Sequence, residues 1–462
     1  MSDTIRFGTD GWRAVIGREF TFDNLGRLAR ATVQWLRQSG SRHPGVLVGY
    51  DTRFMGREFA EHVAQVIAEE GATAILTAGP TPTPAISWAT HELQGLNAGV
   101  VITASHNPPE YSGYKIKAKF GGSATQEMTQ EVERLIAPHP SSSDSGGAGE
   151  VIERDITREY VEYLKGRFDL GSMNLKLVHD PMYGAGQGIM STLLGDQFVT
   201  EIHGEINPGF GGRPPEPIER NLKELMRRVV KEKAAIGIAH DGDADRIGIV
   251  DERGNVVTSH LVMALLVAHL HKQHNQNGAI VRTFATSAIL EKMGVAWGLP
   301  VETYPIGFKY VAPRFLETRV LVGGEESGGI AVAGNIPERD GIYVALVLLE
   351  MLMQRGKSLT ALVQELFDEF GPHAYYRSDV HTKKQPEIIA SLRQTGGLRQ
   401  IAGRKVQSMD TLDGFKHLME DAWLLVRPSG TEPVLRIYAE APTRKEAEEL
   451  VEDTQVQFGL AG

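Results

Sequence analysis

Four short stretches of this chain place hydroxyls, carboxylates and cations where apolar runs end. The first is Thr103-Ala104-Ser105-His106-Asn107-Pro108-Pro109-Glu110-Tyr111-Ser112-Gly113-Tyr114-Lys115, which follows the apolar run Ala98 to Ile102. Such a run predicts a buried strand. The two prolines exclude a helix and a ladder partner at that point, so Ser105 is expected on a rigid turn at a strand's C-terminal end. In open α/β sheets ligands bind there. A hydroxyl so held, with the His106 imidazole beside it and the Lys115 ammonium nearby, can act as a nucleophile toward phosphorus or a carbonyl. A serine hydrolase fits poorly, because the strand–elbow–helix signature Gly-x-Ser-x-Gly is absent here.

The second stretch, Ala235-Ile-Gly-Ile-Ala-His-Asp-Gly-Asp-Ala-Asp-Arg246, alternates Asp241, Asp243 and Asp245 at a strand end. Carboxylates this close repel unless a cation neutralises them, and an oxygen-only cluster suits Mg²⁺. An EF-hand is excluded: Glu252 falls at the twelfth position, but the sixth is Arg246 rather than Gly, and the flanks read as strands. With the cluster taken as exposed, Asp243→Asn is expected to relieve repulsion and so to weaken metal dependence more than folding. Arg246 can balance the excess negative charge or reach a phosphate. The third stretch, Leu321-Val-Gly-Gly-Glu-Glu-Ser-Gly-Gly-Ile330, carries Glu325 and Ser327 on a flexible turn. Carboxylates can accept paired hydrogen bonds from neighbouring sugar hydroxyls. Upstream, Pro305-Ile-Gly-Phe-Lys309 supplies a cation able to bind phosphate. In the fourth, Arg427-Pro-Ser-Gly-Thr-Glu-Pro433, an arginine, two hydroxyls and the backbone around Gly430 make an anion nest, to which Arg436 can add a second cation.

The elements that must position these loops alternate between helix and strand. Phe22 to Gln38 has helical apolar spacing, Val46 to Tyr50 reads as a strand ending in Asp51-Thr52-Arg53, 57–70 as a helix and Ala74 to Leu76 as a strand. Pro80 to Pro84 reads as a turn-rich loop leading to the Ser105 strand. The pattern predicts an α/β layer with a largely parallel sheet. Pro138 to Gly149 reads as a flexible linker, after which a helix from Ile156 and a strand from Leu175 open a second unit. The glycines at 184, 186 and 188 fail the dinucleotide spacing, because Ile189 and Ser191 stand where a small residue is required. A tight strand-to-helix connection accounts for them. The expected units are 1–150, 151–256, 257–370 and 371–462.

A chain of 462 residues exceeds one core. It contains 0 cysteines, which removes disulfides, thiolate zinc sites and cysteine nucleophiles and is compatible with a reducing cytosol. The polar N-terminus lacks an apolar signal core, and the apolar runs Leu261 to Leu270 and Tyr343 to Met353 are too short to span a bilayer. A cytoplasmic protein with no membrane partner is expected. A net charge of -10 argues against non-specific nucleic-acid binding and requires any phosphate site to gather its cations locally.

Taken together, in order and approximate spacing, the loops resemble the four active-site segments of the α-D-phosphohexomutases, the phosphoglucomutase/phosphomannomutase family. Asp10-Gly11-Trp12-Arg13 and Asp51-Thr52-Arg53 are similar to that family's first-domain positions. The resemblance covers essentially the whole chain. It implies an α/β, four-domain architecture, with three related α/β domains and a smaller C-terminal α+β domain around a central cleft. It implies that Ser105 carries a phosphoryl group, with Asp241, Asp243, Asp245 and Ser105 itself around Mg²⁺. Arg13 and Lys115 would lie near the transferring group, with Lys115 or His106 as acid/base. Arg246 and Lys309 would contact substrate, Glu325 and Ser327 would bind sugar hydroxyls, and Arg427, Ser429, Gly430 and Thr431 the existing phosphate.

The activity implied is interconversion of glucose 1-phosphate and glucose 6-phosphate through a bisphosphorylated sugar, with glucose 1,6-bisphosphate as intermediate and activator, by a monomer or homodimer. Gly329 stands where bispecific phosphomannomutases of the family often have His, and Gly-Glu-Glu-Ser-Gly is similar to the phosphoglucomutase form of the loop. Glucose 1-phosphate is therefore expected ahead of mannose 1-phosphate and glucosamine 1-phosphate. The alternatives are a phosphomannomutase or phosphoglucosamine mutase on the same scaffold, a Mg²⁺-dependent sugar phosphatase, or an inactive sugar-phosphate-binding protein.

Overall fold

A computed structural model describes residues 5–8, 10–137, 149–429 and 433–460. The predicted linker, apart from Gly149, lies outside them, as do Gly430 and Thr431. Among the described residues no helix is long and apolar enough to cross a membrane.

The first sheet runs in the order Trp12–Val15, Tyr111–Ala118, Ala98–Ile102, Gly45–Tyr50, Thr73–Thr77, Glu150–Arg154, with Gly122–Ser123 paired onto Tyr111–Ala118. The last four of the main path are parallel, while Tyr111–Ala118 runs antiparallel to both neighbours. The first sheet thus takes a strand from beyond residue 150, where the sequence reading ended its first unit. Glu150–Arg154 completes that sheet's far edge before the Ile156–Arg167 helix begins, its N-terminal Arg158 N–H capped by Asp155.

The second sheet is built from Val256–Val257, Ile247–Asp251, Ile236–His240, Leu177–Asp180 and Val199–Glu201; the third from Val301–Tyr304, Ala279–Thr283, Val320–Gly324 and Ile330–Val332. The fourth is antiparallel throughout, in the order Ala374–His381, Val434–Ala441, Trp423–Pro428, Phe415–Leu418, Ser408–Asp410, with the Gln385–Thr395 and Arg444–Gln457 helices in the same unit. Three α/β units and one α+β unit result, as the resemblance implies.

All four chemical loops occupy one topological position. Each joins a strand to the antiparallel neighbour that follows it: Ile102 pairs with Tyr114, His240 with Ile247, Gly324 with Ile330, and Pro428 with Leu435. The sequence located the strand ends but not these hairpins. A hairpin fixes a loop at both ends, which a strand-to-helix connection does not.

The loop expected at Pro80 to Pro84 holds through Pro82 and then gives way to a helix, Thr83–Glu92, with Pro84 in its first turn. Proline is tolerated there, since the first-turn N–H groups have no intrahelical acceptor. Its Ala85, Ile86, Trp88 and Ala89 join the largest core, which continues through Tyr160, Leu164, Val262–Leu266 and Ile342–Leu349 and so links the first three units. Trp88 packs its ring against Tyr160 and Tyr163 at centroid distances of 5.8 and 5.1 Å. Its indole N–H is buried without a hydrogen-bond partner among the described residues, so apolar contact is what it contributes. Trp88→Ala should cost roughly 3–5 kcal/mol, whereas Trp88→Phe should retain most of the stability because no hydrogen bond is lost. Calorimetric melting of the two variants distinguishes them; equal losses would mean that ring packing is not what holds this junction.

Candidate active site

The Ser105 loop is built around a buried guanidinium. Arg53 donates from Nε to Asp51 Oδ2 at 3.1 Å, from Nη1 to the carbonyls of Pro108 and Tyr111 at 2.8 Å each, and from Nη2 to those of Ser105 and Asn107 at 2.6 and 2.7 Å. One planar cation therefore fastens four carbonyls of a loop whose two prolines cannot donate backbone hydrogen bonds. Asp51 Oδ2 also accepts from Thr103 Oγ1 at 2.6 Å, and Thr103 Oγ1 accepts from the Ser105 N–H at 2.9 Å. Ser105 is held at φ 52°, in the left-handed region that a non-glycine residue occupies only under constraint. Asp51-Thr52-Arg53 thus supports the loop from beneath, and Thr52 donates to the carbonyl of Tyr183 at 2.6 Å in the second unit.

Ser105 Oγ donates to Asp241 Oδ2 at 2.7 Å. The backbones can approach this closely because residue 242 is glycine: a Cβ there would lie 2.6 Å from the Ser105 carbonyl oxygen. From the other side, a Cβ on Gly184 would lie 2.8 Å from the Asp241 carbonyl. That gives the glycine-rich turn after Leu177–Asp180 its role, which is close packing against the aspartate loop.

Asp241, Asp243 and Asp245 are fully buried, not exposed as the sequence reading assumed, and each offers an oxygen within 4.8 Å of the others. Asp243 Oδ2 accepts from Thr83 Oγ1 at 2.6 Å and Lys115 Nζ at 2.8 Å, so Asp243→Asn would also disturb packing. Asp245 Oδ2 faces Lys115 Nζ at 3.3 Å and Arg339 Nη2 at 2.7 Å. Asp243 Oδ1 and Asp245 Oδ1 are buried with no hydrogen-bond partner among the described residues. Orphaned carboxylate oxygens beside the Asp241–Ser105 pair are the donor set that a hard divalent cation requires, so the residues fit a metal. Burial, then Asp245 and Asp243, push the Asp241 carboxyl well above the usual range. Burial acts most strongly to raise Asp243, but Lys115 and the Thr83 hydroxyl together hold that carboxyl down.

Lys115, from the strand beside the loop, sits 2.8 Å from both Asp243 Oδ2 and Asp10 Oδ2. Burial disfavours its charge, yet the three carboxylates around it raise its pKa above the ordinary lysine value. His106 Nδ1 lies 3.4 Å from Ser105 Oγ. Burial and the nearby Arg246, Arg13, Lys115 and Arg339 push its pKa well below the usual imidazole value. Lys115 is therefore charged and His106 neutral near pH 7. Arg13 donates to Asn107 Oδ1 at 2.6 Å and faces Asp10 at 3.9 Å.

Sequence reasoning missed Arg339. Its guanidinium pairs with Asp10, lies 2.7 Å from Asp245, and faces Glu325 and Glu338 at 3.8 Å each, stacked over the Phe308 ring. Lys117 was missed too: it binds Glu338 at 2.7 Å. Two signals were present in the chain. Lys115 and Lys117 stand two apart on one strand and so share a face, and Glu338-Arg339-Asp340 precedes an apolar helix.

The remaining described residues of the predicted set lie on the second, third and fourth units. Arg246 donates its N–H to Asp241 Oδ1 at 3.0 Å and bridges to Gly329. Burial raises Glu325 to about 7, against the opposing pull of Arg339. Ser327 and Glu326 line a cavity of about 570 Å³ together with Tyr375, Arg377, Asp379 and Arg444. Lys309 lies over Tyr310 and reaches Gln126 of the first unit at 3.5 Å. Arg427 is on its strand rather than past it, 3.1 Å from Asp413 and in register with Arg436; the Ser429 N–H donates to the Val434 carbonyl.

Three α/β units and an α+β unit, each presenting a hairpin loop, with a constrained serine against an acidic triad, define the phosphohexomutase class. Comparison with known sequences agrees. The chain matches phosphoglucomutase/phosphomannomutase alpha/beta/alpha domain I at residues 4–141, domain II at 158–254, domain III at 258–370 and the C-terminal domain at 378–455. It is 33% identical over 452 residues to a phosphoglucomutase/phosphomannomutase of Thermococcus kodakarensis, covering 96% of each chain. It is 32% identical over 459 residues to a phosphoglucosamine mutase of Carboxydothermus hydrogenoformans, covering 97% of each. The crystal structure of a putative phosphomannomutase from Thermus thermophilus superposes with a TM-score of 0.88 at 36% identity, covering 99% of this chain and 100% of that one. The chain belongs to the phosphoglucomutase/phosphomannomutase family, whose members are intramolecular phosphotransferases.

Two substitutions test the geometry. Arg53→Met leaves Asp51 buried without its cation and should destabilise the protein by roughly 3–5 kcal/mol, read from urea unfolding. Gly242→Ala should push the aspartate loop from Ser105 and lower mutase turnover at least about tenfold, a loss of ~1.4 kcal/mol in the barrier, together with a fall in melting temperature of the kind that overpacking against backbone produces. Unaltered turnover would show that the backbone contact does not set the Ser105–Asp241 distance.

Proposed function

We propose that this chain is a phosphohexomutase in which Ser105 is the phosphoryl carrier. The observation that carries the reading is the Ser105 hydroxyl 2.7 Å from Asp241, on a loop clamped by Arg53 and faced by buried cations. The seryl P–O bond breaks as a free hydroxyl of the sugar monophosphate attacks phosphorus, giving a bisphosphorylated sugar and unmodified Ser105. The sugar turns end for end, and its other phosphate returns to Ser105. When the sugar is glucose, the intermediate is glucose 1,6-bisphosphate.

Asp241, Asp243, Asp245 and Ser105 would hold Mg²⁺, which supplies positive charge to the phosphoryl oxygens. Lys115, fixed as a cation, complements charge on the equatorial oxygens, and Arg13 and Arg246 lie close enough to contribute to the same field. Burial first, and then four nearby cations, hold His106 neutral, and it is the cations' share that an added anion offsets. A phosphoryl group brings that anion and restores the imidazole's basicity, which makes His106 the better acceptor for the hydroxyl proton. Glu325 and Ser327 would bind sugar hydroxyls, and Lys309, Arg427, Ser429, Gly430 and Thr431 the phosphate at the far end.

The glucose preference expected from the loop has less support than its alternative. The relatives named above are a phosphoglucomutase/phosphomannomutase and a phosphoglucosamine mutase, which favours a mannose or glucosamine phosphate, or several hexoses, over a glucose-specific enzyme. The absence of a histidine at 329 has a steric cause here: a Cβ on Gly329 would lie 2.4 Å from Arg339 Cδ.

Ser105→Ala should lower turnover by several orders of magnitude and remove the phosphate adduct seen by intact-mass analysis; near-normal turnover would defeat the mechanism. A coupled assay on glucose, mannose and glucosamine 1-phosphates then ranks the sugars, while steady phosphate release without isomerisation would favour the phosphatase reading. Glu325→Ala should reduce kcat/KM for the glucose and mannose phosphates alike, since they differ only at carbon 2. A reversal of their order would mean that Glu325 reads that carbon.

A further inference from the structure

A second cluster of metal-ligating side chains, sharing no residue with the aspartate triad, occupies the third unit. The Ser259–Ala268 helix does not stop at Ala268 but continues as a single π-turn, His269–Gln273, closed by the His274 N–H donating to the His269 carbonyl. A π-turn inside or at the end of an α-helix is uncommon and recurs at functional sites. Here it sets residues five apart on one side, so that the rings of His269 and His274 meet at 4.6 Å between centroids and nearly perpendicular, at 82°. Glu350, from the Gly341–Arg355 helix, completes the group.

Three atoms converge. His274 Nε2 lies 3.1 Å from His269 Nε2 and 3.6 Å from a carboxylate oxygen of Glu350, and His269 Nε2 lies 3.2 Å from that same oxygen. A proton can bridge only two of these atoms at a time. A cation at their centre serves all three. The spacings are those of the edges of a coordination tetrahedron, about 3.3–3.4 Å for bonds of roughly 2.0–2.1 Å. Two imidazoles and one carboxylate suit a borderline transition ion rather than Mg²⁺, which takes oxygen ligands.

Burial is graded as an accessible site requires. The His269 side chain is fully buried, while those of His274 and Glu350 are 33% and 28% exposed. His274 and Glu350 also line a cavity of about 260 Å³ together with Arg167, Phe168 and Tyr343. Solvent in that cavity can supply the fourth ligand, as in sites with three protein ligands and one open position. His269 Nδ1 is buried without a partner among the described residues, so without a metal the ring proton sits on Nε2 against Glu350, and an ion bound at Nε2 displaces it to Nδ1.

We propose that His269 Nε2, His274 Nε2 and Glu350 form a site for one divalent transition-metal ion of the Zn²⁺ class, joining the π-turn to the Gly341–Arg355 helix. The proposal is independent of the phosphohexomutase mechanism and uses none of its residues. Its test uses the full chain, stripped with chelator and held in saturating Mg²⁺ so that the aspartate loop is occupied or outcompeted. Zn²⁺ titration by calorimetry should show one site per chain and a rise in melting temperature, and Co²⁺ should give the visible absorption of a four-coordinate ion. His274→Ala and Glu350→Gln, both partly exposed and so tolerable to the fold, should each weaken Zn²⁺ binding about 100-fold or more. Circular dichroism confirms that the variants are folded. Absence of Zn²⁺ uptake by the wild-type chain would overturn the proposal, and so would uptake undiminished in both variants.

Discussion

Three carboxylates buried side by side are the constraint on which the rest of this structure depends. Asp241, Asp243 and Asp245 have no access to solvent, and each ionised carboxylate taken from water costs several kcal/mol unless a fixed counter-charge offsets it. No single unit supplies enough. Lys115 comes from the first sheet, and Arg339 from the segment ahead of the long helix of the third unit. Those two cations would repel each other in turn, and Asp10 lies between them, bonded to both. Burial alone would raise the Asp10 carboxyl, but Lys115, Arg339, Lys117 and Arg13 together hold it well below its ordinary value. The result is an alternating lattice of charge that exists only when three units meet. The domain arrangement is in this sense an electrostatic requirement of the site.

The hairpin topology makes such a meeting possible. Each of the first three loops is pinned at both ends by ladder pairs. Glycines at 184 and 242 then let backbone meet backbone between the loops, where any side chain would hold them apart. Van der Waals contact thus sets the Ser105–Asp241 distance from outside, and the Arg53 guanidinium sets it from within.

The sequence revealed the chemistry better than the scaffold that holds it. Ser105 and the three aspartates are conspicuous because polar groups at the ends of apolar runs are costly and stand out. The same logic located the strand from Ala98. Arg53 and Arg339 were illegible as structural cations, since a buried arginine reads like a surface one until its carboxylates are located. Asp10 and Arg339 are separated by 329 residues, and no periodicity connects them. The Thr83–Glu92 helix was lost to its prolines, which signal a loop in sequence but are compatible with a helix's first turn. Composition also could not show that the aspartates were buried. Alternating charge reads as solvated surface unless the counter-ions are known.

The two ends of the cleft differ in a way that bears on how a substrate could turn within it. On the Ser105 side the cations Lys115 and Arg339 are 1% and 5% exposed, each locked to several carboxylates. Moving either would strand a buried charge, so that side is rigid. On the far side Arg427 is 19% exposed with Asp413 as its partner, and Arg377 is 29% exposed against Asp379. Partly solvated pairs of this kind are worth little, on the order of 1 kcal/mol or less, and rearrange readily. If the proposed reaction holds, the substrate's existing phosphate must be released and replaced by the other end of the same molecule, while the transferring phosphoryl group must always meet Ser105 in one geometry. A rigid proximal lattice and a yielding distal one divide those tasks, and the division follows from burial alone.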